Sequence, residues 1–100
     1  MPRQVKFAPS EPEQALAVLE DILGPANGGT RLFAAHRRAI VAALARAGIT
    51  PDSPVQSTVA ETLAVAEAYE ADGMYAFMPT WDLLLSRVVR LAHPSGDNDA

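Results

Sequence analysis

Three groups of side chains could do chemistry or recognition. The first is His36 with Glu70. His36 falls near the centre of an apolar helical face, and imidazole is the side chain best suited to exchange a proton near neutral pH. Glu70, at the edge of another apolar face, is the carboxylate that could orient it. The same residues also fit a neutral histidine packed in the core with one hydrogen bond to a carbonyl or carboxylate. That reading is favoured, because no nucleophile or second histidine stands in a credible arrangement beside it. His93 follows the last helical turn, where it suits the negative end of the helix dipole. Two distant histidines and no cysteine do not make a zinc site, and there is no glycine-rich phosphate loop, nucleophile elbow or calcium loop. No catalytic residue, metal ligand or cofactor is therefore assigned.

The second group is the stretch Gly73-Met74-Tyr75-Ala76-Phe77-Met78-Pro79-Thr80-Trp81. It carries three of the six aromatic residues and both internal methionines. Methionine adapts to irregular surfaces, while tyrosine and tryptophan anchor protein interfaces. Turned outward, Met74, Tyr75, Phe77, Met78 and Trp81, with Leu83 just beyond, would make a partner-binding patch. Turned inward, they would plug the end of a thin core. The inward arrangement has the edge, because 19 of the 100 residues are alanine and large apolar side chains are scarce.

Arg37, Arg38 and Arg46 form the third group. They precede a turn and invite comparison with a helix-turn-helix reading DNA. The turn is long and holds Pro51 and Pro54. No lysine or arginine occurs between Arg46 and Arg87, whereas Asp52, Glu61, Glu67, Glu70, Asp72 and Asp82 all lie in that interval. A helix so charged would be repelled by phosphate. DNA binding through the second helix is thus an alternative, and nucleic acid is not the expected partner. The net charge of −4 points the same way.

The elements that must position these residues are legible from pattern. Ser10-Glu11-Pro12-Glu13 is a capping box opening a first helix, with Leu16, Leu19 and Leu23 on one face and Gly24-Pro25 as its stop. Thr30 is the expected cap of a second helix reaching about Ala47 and closed by Gly48. Leu32, Phe33, His36, Ile40, Ala43, Leu44 and Ala47 share its apolar face, with Arg31, Arg38 and Arg46 opposite. Ser53-Pro54 opens a third helix that runs to Asp72 and buries Val55, Val59, Thr62, Leu63, Ala66 and Tyr69. Thr80 caps a fourth, whose face is Trp81, Leu84, Leu85, Val88, Leu91 and Ala92.

These elements predict an all-α domain of four helices over residues 10–94, either an antiparallel bundle or an orthogonal array. Residues 1–9 form an arm in which Phe7 could tuck onto the body, and residues 95–100 an acidic tail. The missing cysteines and the lack of an apolar leader or a 20-residue apolar run fit a cytoplasmic protein. Seven arginines against one lysine, with abundant alanine, fit a bacterial or phage source with a GC-rich genome. The expected function is that of a small non-enzymatic interaction module, an inhibitor, adaptor or assembly factor. It would bind a protein partner or itself through Gly73–Trp81 and the fourth helix. Leu83, Val89 and Val41 lie off the main apolar stripes, which suits more than one covered helical face, as in a homodimer.

Overall fold

The computed structural model describes residues 10–24 and 28–93. The arm 1–9, the tail 95–100 and the expected connection through Pro25, Ala26 and Asn27 lie outside the described residues. Four α-helices follow in order: α1 (Glu11–Leu23), α2 (Ala34–Arg46), α3 (Pro54–Ala71) and α4 (Trp81–Ala92), with a 3-10 turn at Tyr75–Phe77. No β-strand is formed among the described residues, and no helix there is long and apolar enough to cross a membrane.

Side chains and glycines set the helix ends as chemistry requires. The Glu13 amide donates to Ser10 Oγ, and the Ser10 amide donates to Glu13 Oε1 at 2.9 Å, closing the capping box of α1. Ser53 Oγ accepts from the Gln56 amide at 3.1 Å, and Pro54 occupies the first position of α3, where a missing N–H costs nothing. Both α2 and α3 end in Schellman motifs. Gly48 (φ 79°) and Gly73 (φ 70°) adopt the left-handed conformation. The next amides, of Ile49 and Met74, then turn back to the carbonyls of Leu44 and Tyr69. Ile49 is itself buried, so the stop of α2 also feeds the core.

Two helix starts differ from the pattern reading. Thr30 does not cap α2. Residues 30–33 are not helical, Arg31 and Thr80 form an antiparallel bridge, and the helix begins at Ala34 with extended Phe33 as its cap. The Leu32 amide donates to Pro79 O at 3.1 Å, and the Trp81 amide to Thr30 O at 3.0 Å. Thr80 makes no side-chain cap for α4 either. The first amides of α4, those of Trp81 and Asp82, are satisfied by the carbonyls of Thr30 and Gly28. A capping side chain is unnecessary where a neighbouring segment supplies acceptors.

The core joins Ala15 and Leu19 of α1, Leu32, Ile40 and Leu44, then Val55, Val59, Leu63 and Ala66 of α3, and Met78, Trp81, Leu84 and Val88. α1 packs against all three other helices, most extensively on α4, and α3 packs on α4. α2 and α3 are not closely packed, whereas the diagonal pair α1 and α3 touch, so the arrangement is not a square bundle. Buried Thr62 links two elements: its hydroxyl donates to Thr58 O and accepts from Arg87 Nη1 on α4 at 3.1 Å. Replacing Gly73 with alanine should cost about 1 kcal/mol, because a Cβ is strained in the left-handed region although nothing crowds it there. Urea titration of Gly73→Ala against the parent chain measures this, and an unchanged midpoint would contradict it.

Candidate functional site

The loop between α3 and α4 resolves into two faces. Met78 and Trp81 point inward and are 4% and 0% exposed, and Pro79 is buried with them. Met74, Tyr75 and Phe77 point outward, with Tyr75 and Phe77 at 49% and 64% exposure. The stretch therefore serves both as core plug and as surface. Met78 and Trp81 belong to the plug and cannot present side chains to a partner. Leu83, in the first turn of α4, remains on the surface.

What splits the loop is its backbone. Gly73 reverses the chain at the end of α3. The 3-10 turn then closes through Phe77 N–H to Met74 O and Met78 N–H to Tyr75 O, both at 3.1 Å. Downstream, the bonds between residues 79–82 and 28–32 hold the other end. Arg31 adds a side-chain tie, its Nη2 donating to Ala76 O at 3.3 Å. Every one of these bonds except the Arg31 tie is local or belongs to the bridge, so the outward side chains stand on a fixed frame.

Rings extend the surface beyond the loop. Tyr75 lies against Phe33 with centroids 5.9 Å apart, and Phe77 against Tyr69 at 6.1 Å. Spacings of this kind are those of favourable tilted aromatic pairs. Phe33, expected on the buried face of the second helix, is instead an exposed member of the patch. The sequence held no local signal for this. Phe33 is displaced because residues 30–32 pair with a segment some fifty residues away.

His36 and Glu70 are not paired. The imidazole is half-buried and stands edge-on to the Trp81 ring at 5.9 Å. Its Nδ1 accepts from the Phe33 backbone amide at 3.2 Å, so histidine at the third helical position caps α2 in the manner of the glutamate in a capping box. This is half a box, since the Phe33 side chain has no acceptor to return the bond. The packed-histidine reading thus needs two changes: the ring is half-buried rather than in the core, and its partner is an amide donor rather than a carbonyl or carboxylate. Glu70 is taken by Arg37, whose Nη1 sits 2.7 Å from Oε1 and also donates to Leu32 O at 3.0 Å. The pair is partly buried and bridges α2 and α3.

That pairing changes the arginine group as well. Arg37 is committed within the chain and is not free to meet phosphate. Arg38 and Arg46 are exposed but line different grooves, Arg38 between α2 and α3 and Arg46 between α1 and α2 beside Asp21. The three do not converge on one surface. Among the described residues, no three His, Cys, Asp or Glu side chains are grouped so as to hold a metal ion. No protein-family model, curated protein or solved structure matches this chain.

Two substitutions separate the inward and outward roles. Trp81→Ala should cost about 3–5 kcal/mol, as expected for emptying a fully buried aromatic site. Phe77→Ala should cost about 1 kcal/mol or less, since it loses only an aromatic pair at an exposed position. Denaturant unfolding of the two variants checks both, and similar costs would contradict the division of the loop.

Proposed function

We propose that this chain is a small non-enzymatic helical interaction module. It binds a protein partner, or another copy of itself, through the outward side chains Met74, Tyr75 and Phe77, with Phe33 beside them and Leu83 on α4. The observation carrying this reading is that large apolar side chains stand exposed on a backbone pinned at both ends. Each half-exposed ring offers on the order of 100 Å² of apolar surface, about 2.5 kcal/mol when buried. A pinned loop also loses little freedom on docking, so more of that gain survives as affinity. Aromatic residues grouped in this way are the usual anchors of protein interfaces. The role fits an inhibitor, adaptor or assembly factor acting in the cytoplasm of a bacterium or of a phage-infected cell.

The test is the double substitution Tyr75→Ser with Phe77→Ser. Both positions are exposed, so the variant should keep its helical content and lose no more than about 1 kcal/mol of stability. Immobilised on resin and exposed to native-host lysate, the parent chain should retain a protein that the variant does not. Identical retention by both, in a folded variant, would sink the proposal.

A further inference from the structure

Between α2 and α3 lies an open groove of about 590 Å³ whose floor includes Ala34, Ala42, Ala60, Leu63 and Ala64. The two helices run antiparallel along it: Arg37 near the start of α2 pairs with Glu70 near the end of α3, while Ala42 and Ala60 lie toward the other end. Alanines make most of the floor, and Val41, at its edge, is 54% exposed. One lip carries Arg38 and the other Glu67, both exposed, and no ion pair among the described residues engages either. The charges are sorted by element: residues 22–51 contain four arginines and no acidic residue, and residues 47–86 contain six acidic residues and no basic one.

We propose that a second copy of this chain occupies the groove, docked about a two-fold axis that runs along it. Such an axis turns the face over and exchanges left for right, so α2 of one copy lies above α3 of the other at the same height. Arg38 of each copy then meets Glu67 of the other, and the interface carries two equivalent ion pairs. Val41 of each copy faces the alanines of the opposite α3, where small residues permit close approach. A two-fold axis across the groove would instead set α2 on α2 and bring arginines together, so the charges select between the two. At about 1.5 Å per residue, two helices of 13 and 18 residues give a face roughly 20 Å square. That is on the order of 400 Å² per copy, below the ~800 Å² of a standard interface, so the dimer is weak and reversible. This inference does not rest on the aromatic patch.

Sedimentation velocity over a concentration series tests it. The parent chain should show a monomer–dimer equilibrium that weakens as salt is raised. Arg38→Glu alone and Glu67→Arg alone should each weaken it about ten-fold or more, because both ion pairs turn repulsive together. Mixing the two single variants should restore the dimer, since every contact across the axis is then between opposite charges. Restoration by mixing cannot arise from an effect within one copy. A chain that stays monomeric up to millimolar concentration, or a dimer that both charge reversals leave intact, overturns the proposal. So does a dimer abolished by Tyr75→Ser with Phe77→Ser but not by Arg38→Glu, which would place the second copy on the aromatic patch.

Discussion

The antiparallel tie between residues 28–32 and 79–82 is the constraint on which the rest of this structure depends. It satisfies the first amides of α4, fixes where α2 can begin, and holds the downstream end of the aromatic loop. Trp81 sits at its centre, the largest fully buried side chain, with its ring against His36 at the start of α2. The hydrogen bonds and the tryptophan need each other. The bonds aim the indole inward, and its burial excludes water from the backbone pairing, where a bond is worth more.

A thin core explains the division of labour in the loop. Alanine contributes little volume, and α2 and α3 present much of theirs to solvent. Native packing density must be reached with few large groups, so Met78 and Trp81 are drawn in with Leu19, Leu32, Leu44 and Leu84. Tyr75 and Phe77, on the 3-10 turn just before Met78, stay outside. The outward residues are thus the geometric remainder of an inward requirement.

Electrostatics contributes modestly to holding the helices together. The one ion pair among the described residues, Arg37 with Glu70, spans α2 and α3 where close packing is missing. Being only partly buried, it adds modest stability. It also links the two helices at one end and occupies the Arg37 guanidinium. Arg38 and Glu67 remain as opposed charges on the groove lips.

Sequence alone determined the four helices, most of their ends and most of their buried faces. Periodicity, the Ser10 and Ser53 caps, and Gly48 and Gly73 are local signals, read within a turn or two. The all-α class and the buried set of α3, apart from half-buried Tyr69, followed from them. Tertiary structure decided what depends on residues far apart in the chain. Thr30 and Thr80 have the chemistry of caps, yet each lies in a backbone pairing that spans fifty residues. Phe33 was moved to the surface by that pairing, and His36 was turned to the Phe33 amide and away from Glu70. Glu70 in turn met Arg37, a partner 33 residues distant. Local free energies of about 1 kcal/mol set the helix ends where nothing competed. A pairing that buried Leu32 and Trp81 outweighed them where something did.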